Sequence, residues 1–292
     1  MVSSRVHFQR ALRRFFLTLT ALAVLAALLG AGYYWYQKLE RGEKYQIKMI
    51  VQTGPQTEAL KTMYLAELLG LSEDRPVSYF DFDEKKALQK LLQSPLVKKA
   101  AVKKIRPSFV YVDYTLKEPI AHLADYPNVA IDKKGSFFPL FPFFPPKNLP
   151  EIYLDIPELE TLKEFPAEPF ESPNLQLALK LLKTLEVLNL KVKRIDASAA
   201  FSKSFGKREV VLVLDEELVW KSDQTLRVLV FPRILRLSPE EMEKQLANYL
   251  ELRKKMLLDY EKQLKNKSGL GAYVCFKPKV VDLRISKLAF ID

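Results

Sequence analysis

The sequence predicts an α+β fold held behind a single membrane-crossing helix, and three observations carry that prediction. Residues 15–36, FFLTLTALAVLAALLGAGYYWY, contain no charged side chain. Between 44 and 121 the apolar residues recur in the order strand, helix, helix, strand, strand, with periods of two and 3.6. Beyond 170, two long helical patterns are separated by several short strand-like runs, which makes a second α+β domain with an antiparallel sheet. The expected organisation is a tail over 1–14, a transmembrane helix over 15–36, a linker over 37–43, one domain over 44–121 and another over 122–292.

At about 1.5 Å per residue the run from Phe15 to Tyr36 gives about 33 Å of helix, enough for a hydrocarbon core of about 30 Å. Arg13 and Arg14 abut its first end, and Tyr33, Tyr34, Trp35 and Tyr36 crowd the other, as at a membrane boundary. A cleaved signal peptide also places arginines before apolar residues, and Gly30-Ala31-Gly32 fits its small-x-small cleavage site. Its apolar core spans about 7–15 residues, however, and does not end in bulky aromatics. The retained anchor is therefore expected, and a buried core helix is disfavoured because nothing polar interrupts any face. Arg5, Arg10, Arg13 and Arg14 precede the span while Lys38, Arg41, Lys44 and Lys48 follow it, so basic residues are nearly balanced across it. A cytoplasmic N-terminus is the expectation, with everything after Gln37 outside the inner membrane.

The chain carries 46 basic and 35 acidic residues for a net charge of +11. Four of the basic residues are the tail arginines, so the remainder holds 42 against 35. That surplus favours proximity to anionic lipid and, on that side of a membrane, argues against nucleic acid. The one cysteine, Cys275, permits no intrachain disulfide. Its setting, Tyr-Val-Cys-Phe, reads as the interior of a strand with a buried, inert thiol.

In chain order, Tyr45, Ile47, Met49 and Val51 alternate with polar residues as a half-buried strand, stopped by Gly54-Pro55. Residues 56–69 place Leu60, Tyr64, Leu65, Leu68 and Leu69 on one helical stripe ended by Gly70. Asp81 and Glu84 have capping-box spacing before a second helix with Ala87, Leu88, Leu91 and Leu92, which Ser94-Pro95 terminates. Strands over 96–105 and 109–116 follow, joined through Arg106-Pro107-Ser108. Gly135 suits the tip of a hairpin. The prolines from Pro139 onward forbid a central strand, so the phenylalanines of FPFFPP (141–146) either pack over a sheet edge or stay exposed for a partner. Residues 155–173, acidic and proline-rich, read as a solvated connection.

Ser172-Pro173 opens a helix with Leu175, Ala178, Leu179, Leu182, Leu185 and Leu188 on its stripe. Strands are expected over 192–197, 209–214, 218–221 and 226–231, with the Asp215-Glu216-Glu217 break making a hairpin. Ser238-Pro239-Glu240-Glu241 is a capping box opening a long helix with Met242, Leu246, Leu250, Leu257, Tyr260 and Leu264, ending at Ser268-Gly269. Its lysine-rich far end is a solvated face, a charged arm or a lipid contact. Last comes VVDLRISKLAFID.

Several of these residues together resemble the extracytoplasmic part of the FtsQ/DivIB family of bacterial cell-division proteins. They are Pro95 and Val97 leading into a strand, Arg106-Pro107 at the turn, and Glu118 to Ala121 preceded by Lys117. Asp132 to Gly135 followed by Phe137, and Val281-Asp282-Leu283-Arg284 near the end, complete the set. The strand-helix-helix-strand-strand unit looks like the POTRA domain that this family carries next to its anchor, followed by its β domain. The helix from 239 is longer than the family's equivalent, and the turn at Ser286-Lys287 lacks the family's usual glycine.

The chain offers little catalytic machinery. His7 lies in the tail, so a histidine base would be His122 alone; no His or Cys cluster has metal-ligand spacing; the nine glycines form no phosphate loop. Asp81 and Asp83 are better explained by helix capping. The expectation is a non-enzyme, with no cofactor and no small-molecule substrate. What the resemblance implies is a bitopic cell-division scaffold at the septum that recruits single-span partners of the FtsB (DivIC) and FtsL type through its last strand. Those partners connect it to septal peptidoglycan synthases. Carried onto this chain, Arg284, Ile285, Leu288 and Phe290 form the partner surface, although alternate residues of a last strand, Ile285 and Phe290 among them, can equally face the core. The alternative is another POTRA-bearing transport or envelope-assembly factor that binds extended chains at a sheet edge, and a membrane-anchored hydrolase is a distant third.

Overall fold

The protein is α+β, with one N-terminal apolar helix and a mixed sheet behind it. The computed structural model describes residues 2–292 except 41, 55–58, 146, 158–164, 166–167, 223–224 and 266–272. Pro55, the first turn expected of the helix at 56, most of the acidic connection and the end at Ser268-Gly269 lie outside the described residues. Contacts divide the chain into two units, 1–115 and 116–292.

In the first unit α1 (Val2–Glu40) contains the stretch Arg13–Lys38, long and apolar enough to cross a membrane. A 3₁₀ turn over Glu43–Tyr45 replaces the expected beginning of the first strand, and β1 starts at Met49 and ends at Thr53. Helices α2 (Thr62–Leu69) and α3 (Glu84–Gln93) follow, then β2 (Val97–Ile105) and β3 (Phe109–Leu116). The sheet order is β1-β3-β2, with β1 parallel to β3, so the two helices carry the chain from one edge to the other. Leu65, Leu69, Ala87 and Leu91 of the helices are buried, as are Val110, Val112 and Tyr114 of β3. The cap of α3 is Asp83, whose carboxylate accepts the amides of Lys85 and Lys86, rather than Asp81. Those two amide hydrogen bonds hold the Asp83 carboxyl below its ordinary value, overcoming a smaller desolvation effect. Glu84, the other half of the expected box, instead accepts the backbone amide of Lys104 at 2.6 Å and ties α3 to β2.

The second unit is one mixed sheet rather than the expected antiparallel one: four of its strand pairs run parallel, because helical connections between 153 and 192 and between 237 and 273 return the chain in the same direction. Its strands are β4 (Ala121–Leu123), β5 (Val129–Ile131), β6 (Phe137–Pro139), β7 (Glu151–Tyr153), β8 (Val192–Asp196), β9 (Val210–Ser222), β10 (Thr225–Leu237), β11 (Tyr273–Cys275), β12 (Lys279–Asp282) and β13 (Phe290–Ile291). They lie in the order β13-β12-β10-β9-β8-β7-β4-β5-β6, with β11 also on β10. Ala121, which the sequence assigns to the first domain, therefore opens the second sheet. Gly135 turns the β5–β6 hairpin at φ +86°, and a Cβ there would stand 3.1 Å from Leu175. Asp132 in the same turn accepts the amides of Lys134 and Ser136. Pro139 stands in the edge strand β6; Phe144 is buried against Phe138, while Phe141 is exposed.

Helices α4 (Pro173–Val187) and α5 (Met242–Lys265) pack on one face. Leu175, Ala178, Leu181 and Leu185 meet Ile152, Ile195 and Leu212, and Met242, Leu246 and Tyr249 join the same core. Pro173 begins α4 with no side-chain bond from Ser172. The helix expected from Pro239 starts at Met242, and the amide of Ser238 donates to Gln245 Oε1 at 2.8 Å, one turn beyond the expected box.

The largest departure from expectation is the β9–β10 hairpin. Asp215, Glu216 and Glu217 do not break it: β9 runs through them for 13 residues, paired to β10 from Val210↔Leu237 to Ser222↔Thr225. Glu216 survives inside a strand because it has partners. It is buried, accepts the Tyr249 hydroxyl at 2.5 Å and stands 3.0 Å from Nε of Arg253. Burial first, and the Glu216 carboxylate second, push the Tyr249 phenol well above its ordinary range. Arg233, 1% exposed, is on the neighbouring strand with its guanidinium 5.7 Å from the Phe231 ring and 5.5 Å from that of Tyr260. Beyond this polar layer a second cluster forms from Leu229 and Phe231 with Leu257, Tyr260 and Phe276. Phe231 stacks on Phe276 at 4.6 Å.

Candidate partner-binding edge

The C-terminal side of the large sheet is built on β10. Its residues 228–230 pair with β11 and its residues 233–236 with β12, both parallel, so β11 and β12 lie end to end along one strand. Pro232, which lacks an N–H, falls at the junction between the two partners. Antiparallel β13 then closes on β12, with Val281 opposite Ile291 and Asp282 opposite Phe290, and the Asp292 amide donates to Val280 O at 3.1 Å. Lys287 adopts φ +65° in the connecting turn, where the resemblance would have a glycine.

Asp282-Leu283-Arg284 works as a clamp. Leu283 is buried in the core. Arg284 turns back onto Asp282, with Nη2 2.7 Å from Oδ2 and Nε 3.0 Å from Oδ1, while its Nη1 reaches Glu209 Oε2 at 3.1 Å. Arg236 shares both acids, at 2.7 Å from Glu209 and 3.5 Å from Asp282. Burial acts to raise the Asp282 carboxyl, but the hydrogen bonds from the Arg284 guanidinium and amide, with the charges of Arg284 and Arg236, overcome it and hold the group below its ordinary value. The Asp282 hydrogen bond in turn raises Arg284 against a smaller desolvation effect.

Of the four residues singled out in the sequence, Ile285, Leu288 and Phe290 are 54%, 56% and 57% exposed. None of the three is spent on the core, which disposes of the core-facing reading for Ile285 and Phe290. Arg284 is different, since its guanidinium is engaged within the chain. Among the described residues, nothing pairs with the outer side of β13. Ile285 and Leu288 also line a groove of about 370 Å³ between the start of α5 and the β12–β13 turn, with Gln245, Asn248 and Leu252 opposite. Gln245 Nε2 is buried there without a hydrogen-bond partner among the described residues. The arrangement presents an open strand edge with an apolar rim and a groove beside it, the combination that strand addition uses.

Sequence reasoning missed the groove and placed Cys275 wrongly. Its thiol is exposed, on β11. His122 sits in β4 opposite Ala130 and next to Glu151 of β7. Among the described residues no three His, Cys, Asp or Glu side chains come together as a metal site would require. In comparisons with known proteins, no family model matches the chain and no curated protein matches it.

Proposed function

We propose that this chain is a single-pass, non-enzymatic cell-division scaffold of the FtsQ/DivIB type. In this reading α1 is a retained anchor with its N-terminus in the cytoplasm, and the first unit is a POTRA domain. The second unit is the β domain that recruits partners of the FtsB (DivIC) and FtsL type, and through them septal peptidoglycan synthases. The observation that carries the reading is the β13 edge, with Ile285, Leu288 and Phe290 exposed beside unpaired backbone. Arg284 contributes by fixing the β12 end of that surface, a positioning role. The order β1-α2-α3-β2-β3, with β3 between the other two strands, supports the POTRA part.

The test combines a fluorescent fusion with a photo-crosslinking residue at Phe290. A midcell band and a crosslink to a single-span division protein are expected, and the Phe290→Lys/Ile285→Lys variant should lose both. Diffuse envelope fluorescence refutes the reading. A second reading, an assembly factor that holds extended chains, is favoured by one feature of the first unit. The edge strand β1 and α2 border a groove of about 940 Å³ lined by Ile47, Ile50, Met63 and Leu71. Crosslinks from Met63 to many unfolded envelope proteins would select it.

A further inference from the structure

The first sheet has one bare face. Its helices cover the side of Val110, Val112 and Tyr114, whereas Met49, Val51 and Ile105 on the other side are exposed and Phe109 and Tyr111 half-exposed. The alternation of β2 places Lys99, Ala101 and Lys103 on this same face, all exposed. Lys104, of opposite parity, points to the helix side and donates to Tyr79 O and Phe82 O. Neither Lys99 nor Lys103 forms an ion pair among the described residues. The face holds one acid, Asp113, and it is not randomly placed. Because β1 is parallel to β3 with Met49 opposite Phe109 and Thr53 opposite Asp113, the acid lies at the far end from where β1 begins.

β1 is also the first strand after α1. Eight residues, 41–48, separate Glu40 from Met49, a tether of at most about 28 Å when fully extended. An apolar and aromatic face flanked by lysines, with its acid at the end away from the tether, has the composition of surfaces that sit at headgroup depth. Its free ammonium groups match an anionic leaflet. We propose that the bare face of the β1-β3-β2 sheet docks on anionic lipid headgroups of the leaflet from which α1 emerges. Met49, Ile105 and Phe109 enter the interface and Lys99 and Lys103 pair with lipid phosphates. This rests on α1 being a retained anchor.

The test uses the full chain with Cys275→Ser, reconstituted in lipid discs of phosphatidylcholine alone or of equimolar phosphatidylcholine and phosphatidylglycerol. A bimane probe is placed at Ala101→Cys on the bare face or at Met63→Cys on the helix layer, and headgroup-nitroxide lipid quenches it. Strong quenching at 101 but not at 63, only in the anionic discs, is the expected result. Lys99→Gln/Lys103→Gln should lower the docked-to-undocked ratio about 30-fold. Equal quenching at the two sites, or quenching indifferent to lipid charge, overturns the proposal. A probe at 101 unquenched in both discs overturns it too and leaves the face to a protein partner. Failure of the chain to co-purify with discs is a separate result that removes the anchor itself and the proposal with it.

Discussion

Replacing Glu216 by alanine takes the carboxylate away from two partners in the middle of the β9–β10 hairpin. Tyr249, fully buried, loses the acceptor of its hydroxyl at 2.5 Å, and an unsatisfied buried hydroxyl costs about 1–3 kcal/mol. Arg253 loses its carboxylate at 3.0 Å, but a third of its side chain reaches water and can be resolvated. Arg233, 1% exposed beside the Phe231 and Tyr260 rings, forms no ion pair with Glu216 and loses only the longer-range field of that carboxylate. Breaking a buried charge pair costs about 3–5 kcal/mol, less where one partner can be resolvated as Arg253 can, and because the Tyr249 hydroxyl and Arg253 share one acceptor the two costs do not add. A loss of about 2–4 kcal/mol is expected in the second unit, read by urea denaturation of the full chain in detergent. Tyr249→Phe, which removes only the donor, should cost about 1–2 kcal/mol. A loss below about 1 kcal/mol for Glu216→Ala would refute the claim that this carboxylate holds the layer together.

Arg284→Ala should loosen the β12–β13 edge selectively, seen as faster amide exchange at Leu283 and Asp292 with little change at Leu212. The depressed Asp282 carboxyl predicts that the clamp is fully formed above the ordinary carboxylate range near pH 4 and is lost as pH falls through the lower folded value. Exchange at the edge should therefore rise only in acid. Gly54→Ala should destabilise the first unit by about 2 kcal/mol or more, because a Cβ there falls 2.4 Å from Tyr114 O at φ +122°; thermal unfolding measures it. Cys275 should react with a maleimide in the native protein without denaturant, since its thiol is exposed.

What could be read from the sequence follows from the range of the forces involved. α1, α2, α3 and α4 show in local periodicity and stop signals, and the hairpin around Gly135 in a single backbone requirement. The three-residue strands β4, β5, β6 and β7 are too short to display a period. Glu216 looked like a turn residue because its partners, Tyr249 and Arg253, lie on another element and no local rule connects them. Asp81 and Asp83 both suit a cap; Asp83 serves, while Glu84 accepts the Lys104 amide of β2, a contact no local rule could foresee. At the candidate edge, the motif ending in Arg284 was visible, and so were the apolar residues after it. That Arg284 faces inward to Asp282 and Glu209, and that Cys275 faces outward, is decided by how β11 and β12 share β10.

Helix α5 runs past two separate oily clusters with a charged seam between them. Stability in such a stretch is not pooled, because apolar contacts on one side of the seam do not reinforce those on the other. The outer end of the hairpin, with Leu229, Phe231 and Phe276, can therefore open and reclose while Leu212, Leu246 and the β12–β13 edge keep their places. Deuterium uptake should resolve two kinetic classes along this one helix, with the boundary near Arg253.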